Sequence, residues 1–231
     1  MKRVGIIGGM GPEATVDLFV KIIKNTDAKK DQEHIPIVID NYPQIPDRTA
    51  YIFGRGESPL PYLLESVRRL ERASVDCLCM ACNTAHYFID ELRREAKVPF
   101  ISMIETVLEK ILDKGDCKKI GLMATDGTVK ARIYHNAFEK AGLKIHDFEG
   151  DIQSLIMESI YKLKAGEHEQ AKETFQNAIE TIKAESHDCL IAGCTEVPVL
   201  LSLIDRKLLE GIKIFDATEL LAKKIVSMCK D

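Results

Sequence analysis

The sequence predicts an α/β protein made of two similar parallel-sheet halves, related by pseudo-twofold symmetry, with a ligand cleft between them. Three observations carry this reading. Short apolar runs rich in β-branched residues alternate with amphipathic stretches of helical length along the whole chain, the pattern of strands covered on both faces. Asp76-Cys77-Leu78-Cys79-Met80-Ala81-Cys82 matches Asp188-Cys189-Leu190-Ile191-Ala192-Gly193-Cys194 at four of seven positions, at an offset of 112 residues (82 to 194). Gly5 and Gly11 likewise fall on Gly121 and Gly127 at an offset of 116, and Glu105 falls on Glu219 at 114. A repeat of this size is a duplicated domain rather than a solenoid unit.

The apolar runs at 4–7, 35–39, 77–81, 100–102, 120–124, 189–192 and 213–215 read as strands. Helical periodicity falls at 13–25, 60–71, 85–95, 105–113, 129–141, 152–164, 169–185 and 218–229. The long stretch 41–58 holds Pro43, Pro46, Gly54 and Gly56, and a loop of that length inside a compact domain is more often functional than idle. The expected division is an N-terminal unit of residues 1–102 with 216–231, the last helix packing back on it, and a C-terminal unit of residues 103–215. Related halves face each other across a cleft, and ligands bind at the carboxyl ends of parallel strands.

Composition narrows the function classes. The 231 residues are 45% hydrophobic and 29% charged, outside the range of disordered chains, and long enough to bury a core without staples. A net charge of −4 gives no global positive field, so nucleic acid is not an expected partner. No apolar run has the length that crosses a bilayer, and residues 1–8 read as a strand rather than a leader, so the expectation is a cytoplasmic protein with no membrane partner. Seven cysteines, an odd count, read as free thiols in a reducing compartment.

Two of those thiols stand apart. Cys82 and Cys194 each lie where an apolar strand ends and a helix begins, in Ala81-Cys82-Asn83-Thr84-Ala85-His86 and Gly193-Cys194-Thr195-Glu196-Val197-Pro198. Asn83, Thr84 and Thr195 are good helix-capping residues, and a helix N-terminus lowers a thiol pKa and can also hold a carboxylate. Isolated strand-end cysteines are usually core filler. At matching positions in two halves, however, the pair flanks one cleft and suits stereoinversion at a carbon acid: one thiolate removes an α-proton and the opposite thiol returns one. Sulfurs each about 3 to 3.5 Å from that carbon lie too far apart for a disulfide.

The opening Gly8-Gly9-Met10-Gly11-Pro12-Glu13-Ala14 has part of a dinucleotide-binding pattern, but Pro12 removes an amide from the turn that would cradle a pyrophosphate. This turn and its repeat partner Ala124-Thr125-Asp126-Gly127-Thr128 suit a small anion better. Asp47 and Arg48 lie in the Pro-rigidified loop, where Arg is a good carboxylate fork. Lys164 ends a helix, 117 residues beyond Asp47, so the two are expected at related places in the two halves.

These residues together resemble the aspartate/glutamate racemase superfamily, most closely its aspartate racemase branch. The likeness rests on the opening Gly-Gly-Met-Gly-Pro-x-Ala-Thr, the Pro43-Gln44-Ile45-Pro46-Asp47-Arg48-Thr49 loop, Cys82-Asn83-Thr84-Ala85-His86, Cys194-Thr195-Glu196 and the Ile-Tyr-x-x-Lys-x-Gly stretch at 160–166, and it covers nearly the whole chain. The glutamate racemase branch typically opens with an Asp-Ser-Gly turn and has His after its second Cys-Thr. Here Gly9-Met10-Gly11 and Glu196 stand instead. The resemblance implies a racemase that uses no cofactor and no metal, takes a small acidic amino acid, and forms a homodimer. It implies Cys82 and Cys194 as the acid–base pair, Asp47 and Lys164 as a charged pair beside them, and Met10, Arg48, Asn83, Thr84, Ala85, Thr125, Lys164 and Thr195 as substrate-binding residues.

Two other readings compete. Cys77-x-Cys79-x-x-Cys82 has cysteines enough for a metal cluster, but its repeat partner loses one of them at Ile191. A dicarboxylate sensor with two α/β lobes explains the architecture and leaves the paired thiols unexplained. His86 is either an auxiliary acid, a capping residue or a satisfied histidine on a helix face.

Overall fold

The computed structural model describes residues 1–230, and its elements follow the alternation of the sequence. In the first half β1 (Val4–Gly8), α1 (Pro12–Asn25), β2 (Ile37–Asn41), α2 (Arg48–Ile52), α3 (Leu60–Arg72), β3 (Cys77–Met80), α4 (Ile89–Glu95) and β4 (Phe100–Ile101) succeed one another. The chain continues through α5 (Met103–Lys114), β5 (Ile120–Met123), α6 (Asp126–Lys130), α7 (Ile133–Lys140), β6 (Ile145–Asp147), α8 (Gly150–Lys164) and α9 (His168–Lys183). It ends with β7 (Cys189–Ala192), α10 (Glu196–Leu203), β8 (Ile214–Asp216) and α11 (Ala217–Lys230).

The eight strands form two four-stranded parallel sheets of the same order, β2-β1-β3-β4 and β6-β5-β7-β8. The repeat seen in the sequence is therefore a repeat of topology. The central strands β1, β3, β5 and β7 are buried along their whole length, which is why they read as unbroken apolar runs. Alternate residues of each strand serve two different cores. Cys77 and Cys79 join Val4, Ile6, Ile120, Leu122, Cys189 and Ile191 in one core that the inner faces of both sheets share. Leu78, Met80 and Cys82 face the outer core under α3 and α4, and Leu190, Ala192 and Cys194 face the one under α8, α9 and α10. Cys82 thus points away from Cys77 and Cys79, which takes apart the three-cysteine cluster, and no metal-ligand group of three or more residues exists among the described residues.

The helices that follow β4 and β8 cross over between the halves. α11 packs on α1 and α5, and α5 packs on α7. Lys21 of α1 bridges Asp17 at 2.6 Å and Asp216 of β8 at 2.7 Å, tying the second sheet to the first half. A close backbone approach makes a second tie: a Cβ on Gly127 would lie 2.7 Å from Thr49 Oγ1, so α6 can sit against α2 only with glycine there.

Three local departures from the sequence reading have physical causes. The loop 41–58 contains α2, because the Asp47 carboxylate caps it by accepting from the Ala50 N–H at 2.7 Å. The helix expected over 129–141 is two, α6 and α7, separated by Arg132 in the left-handed region at φ 53°. The strand β6 escaped because only Ile145 of its three residues is buried.

His86 lies in a 3-10 turn at Thr84–Phe88, before α4. Its Nε2 accepts the Met103 N–H at 3.1 Å, so the ring proton is on Nδ1, which donates to the Cys82 carbonyl at 2.8 Å. The imidazole is a bracket between the Cys82 turn and the start of α5, not an acid. Burial pushes its pKa down to about 4, against the hydrogen bond it donates to the Cys82 carbonyl. The unfolded chain binds a proton near pH 6.5 that the folded chain takes only near 4, so His86 contributes fully above pH 6.5 and loses its contribution as pH falls through that window. A shift of that size corresponds to ~3 kcal/mol. Denaturant titrations of His86→Gln should show a flatter fall in stability from pH 6.5 to 4 than the parent protein; parallel pH profiles would take the buried neutral imidazole out of this account.

Candidate active site

Both repeated thiols arrive where the repeat leads them. Cys82 is two residues past β3 and Cys194 two residues past β7, at the carboxyl ends of equivalent strands. They line one cavity with Met10, Asp47, Arg48, Asn83, Thr84, Thr125, Lys164, Thr195 and Glu196. Of the acid–base and substrate-binding residues that the resemblance implies, Ala85 alone is elsewhere, packed in the outer core of the first half. The cavity is tight, about 10 Å³, room for about one water. A wider cavity of about 400 Å³ shares Met10, Asp47, Arg48, Lys164 and Glu196 with it and is also lined by Pro12, Pro43 and Leu163.

Glu196 is the residue whose place sequence reasoning missed. It begins α10 and is only 3% exposed. Its Oε2 accepts from Cys194 Sγ at 2.9 Å and from Thr195 Oγ1 at 3.3 Å, and its Oε1 accepts from the Gly11 N–H at 3.3 Å and lies 3.7 Å from Lys164 Nζ. The anion on the N-terminal turn of α1 is thus the chain's own carboxylate. The signal was present in Cys194-Thr195-Glu196, where an acid follows a thiol by two residues at a helix start; its burial was not.

This carboxylate alters the electrostatics expected of the site. Asp47 and Lys164 both line the thiol cavity; Asp47 also caps α2 through one carboxylate oxygen, and Lys164 faces Glu196, so Glu196 joins the charged groups beside the thiols. The first two lie on the connections that lead from equivalent strands, β2 to β3 and β6 to β7, Asp47 at the start of the short α2 and Lys164 at the end of the long α8. Burial pushes the Cys194 thiol well above its ordinary pKa and the Glu196 carboxylate pushes it the same way; Lys164 and the backbone amide at the start of α10 act to lower it and are outweighed. Lys164 itself is raised, because Glu196 and the thiols outweigh the burial that disfavours its charge.

The polar wall opposite is built by hydroxyls and one amide. Thr84, Thr125 and Thr128 form a ring, with Oγ1 separations of 2.8, 2.9 and 3.0 Å, so each hydroxyl both donates and accepts. Thr125 also caps α6 by accepting the Thr128 N–H at 3.2 Å. Asn83 and Thr195 stand at cap positions without capping by their side chains. Thr128, the last residue of the Ala124–Thr128 turn, closes this ring from behind without lining the cavity.

Arg48 is buried, and its Nη1 donates to the Ile45 and Pro46 carbonyls at 3.1 and 2.9 Å. Its Nη2 makes one long contact of 3.5 Å to the Met10 carbonyl, and its Nε has no partner. One terminal nitrogen holds the loop while the Nε–Nη2 edge keeps its donors, the geometry that a carboxylate takes bidentately. The assembled groups can bind a small carboxylate and move protons between sulfur and a carbon held between the two halves.

The chain was compared with known proteins. It matches the Asp/Glu/Hydantoin racemase family over residues 7–225. It is similar to the solved structure of an aspartate racemase of Picrophilus torridus, with 34% identity, a TM-score of 0.87 and coverage of 99% of this chain and 94% of that one. It is 30% identical over 186 residues to a glutamate racemase of Aquifex aeolicus (strain VF5), covering 80% of this chain and 70% of the relative. It is 24% identical over 234 residues to the broad specificity amino-acid racemase RacX of Bacillus subtilis (strain 168), covering 97% and 96%. The repeated sheets, the paired strand-end thiols and these likenesses converge: this chain belongs to the Asp/Glu/Hydantoin racemase family.

Proposed function

We propose that the protein interconverts L- and D-aspartate without a cofactor, by α-proton transfer between Cys82 and Cys194. The observation that carries this reading is that two thiols from equivalent strand ends of the two halves line one cavity with Arg48 and Lys164. In one direction the Cys82 thiolate takes the α-proton and the Cys194 thiol delivers its own to the opposite face of the carbon. In the other the roles exchange. Cys194 rests as a thiol, in keeping with its raised pKa, and the carboxylate of Glu196 is in contact to receive its proton when it must act as base. Asn83, Thr84, Thr125 and Thr195 would hold the α-carboxylate, Arg48 and Lys164 the side-chain carboxylate, and Met10 the wall between them. The protein would act in the cytoplasm, as a homodimer.

Glutamate is the second substrate this reading admits. The cavity of about 400 Å³ that adjoins the thiol cavity offers room for one more methylene, and a methylene is discriminated by only about 1 to 3 kcal/mol in such a pocket.

Optical rotation of L-aspartate should decay to zero with the purified protein and no addition. Cys82→Ser and Cys194→Ala should each lower racemisation by 10³-fold or more, while one enantiomer still exchanges its α-hydrogen with solvent deuterium through the remaining thiol. Folded variants that racemise near the parent rate would remove the two-thiol mechanism. Cys77→Ala is the comparison, since that thiol faces the inner core, 3.8 Å from Cys229, and its loss should cost stability alone.

Glu196→Gln has a directional signature. Its negative charge raises the Cys194 pKa, so its removal lowers that pKa and should move the basic limb of the kcat/KM profile to lower pH. Because the equilibrium constant of racemisation is unity, kcat/KM should fall by the same factor, about tenfold to a hundredfold, for both enantiomers. An unmoved basic limb would separate Glu196 from the Cys194 proton.

A further inference from the structure

We propose that Tyr134, which does not line the thiol cavity, is a positioning residue that locks the Asn83 side-chain amide in the orientation that presents its NH2 group to a bound carboxylate. The inference rests on the racemase reading and adds to it a residue from the opposite half of the molecule.

Tyr134 lies on α7 and is 0% exposed. A phenol hydroxyl in that position needs an acceptor for its proton, and the partner present is Asn83 Oδ1, at 2.6 Å. Burial, with Cys194 nearby, pushes the phenol pKa well above its ordinary value, so the hydroxyl stays a donor at every pH the protein tolerates. A donor on one side of a side-chain amide decides which of its two ends points the other way. With Oδ1 held by Tyr134, Nδ2 becomes the free end, and it is buried without a hydrogen-bond partner. Asn83 borders the cavity and is itself 2% exposed, so this orphaned donor is a buried polar group awaiting an acceptor.

The environment accounts for the strictness of the arrangement. Asn83 stands at the cap position just before the 3-10 turn, in helical backbone, and does not cap that turn with its side chain, so no local bond competes with Tyr134 for the oxygen. The ring of Tyr134 is held in turn by Phe138, at 6.0 Å between centroids, and by Gly193, where a Cβ would come within 3.2 Å of the ring. The hydroxyl therefore reaches from α7 of the second half to the turn after β3 of the first. It joins the segment before Cys194 to the segment after Cys82.

The experiment is a double-mutant cycle with a structural readout. Tyr134→Phe keeps the ring and removes only the hydroxyl. It should raise the KM for L-aspartate about tenfold with kcat changed less than threefold, as expected for loss of ground-state binding. In the Asn83→Ala background the same change should have no further effect on KM, because the hydroxyl acts only through the amide. Asn83→Asp, whose second oxygen would face the substrate carboxylate, should bind more weakly than Asn83→Ala. Independently of turnover, the Asn83 side-chain amide in ¹⁵N-labelled protein should give one sharp pair of signals that broadens or doubles in Tyr134→Phe. A KM effect of equal size with and without Asn83, or amide signals indifferent to the Tyr134 hydroxyl, would overturn the inference. Absence of aspartate turnover in the parent protein would count against the racemase reading, and the amide signals would still decide the role of Tyr134.

Discussion

Burying a carboxylate is costly unless its oxygens find charge and hydrogen bonds, and Glu196 meets that constraint with partners from both halves. Gly11 belongs to the turn after β1, Cys194 and Thr195 to the turn after β7, and Lys164 to the end of α8. Removing any one partner leaves a buried anion short of compensation. The turn after β1 is thereby held against the turn that carries Cys194 by the same group that lies in contact with that thiol. Arg48 repeats the logic with opposite charge: it is buried, bound to the carbonyls of its own loop by one nitrogen, and left with an edge of unspent donors.

The site is a joint, not a groove in a finished surface. The inner faces of both sheets share one core, with α11 crossing back to α1, so the halves cannot separate widely without breaking apolar contacts. At the upper edge only small or hydroxyl-bearing residues fit. Gly127 lets α6 approach α2, and the ring of Thr84, Thr125 and Thr128 closes on itself across the same boundary. A cavity of about 10 Å³ does not hold an amino acid, so a substrate must exchange some of these internal bonds for its own. Hydroxyls suit that exchange, since each can turn its single proton from a neighbouring threonine to a carboxylate.

Much of this was legible because of the duplication. Parallel strands buried on both faces announce themselves as apolar runs, and β1, β3, β5 and β7 fall where those runs are. Repetition of the Asp-Cys-Leu motif at a fixed offset marked Cys82 and Cys194 before any coordinates. What the sequence left hidden depends on partners distant in the chain. Tyr134 looks like an ordinary helix residue until Asn83 meets it across the boundary, and Thr84 meets Thr128 in the same way. Asp47 read as a charged group of the loop and also caps a five-residue helix, and Glu196 looked like a helix-start acid and is the buried partner of a thiol. Short elements such as β6 and α2 escaped for want of periodicity, since three to five residues carry too little pattern to read.

Two bases on opposite faces of one carbon make a statement about where protons come from, and that is the most direct place to test the account. L-aspartate is racemised in deuterium oxide, and the α-hydrogen content of each enantiomer is read at low conversion. A pair of thiols predicts that newly formed D-aspartate carries deuterium at Cα while the remaining L-aspartate keeps its protium, because the proton taken by one sulfur is not the one delivered by the other. Deuterium entering the unreacted L-aspartate as fast as it enters the product would mean that a single group serves both faces, and would contradict the two-thiol site.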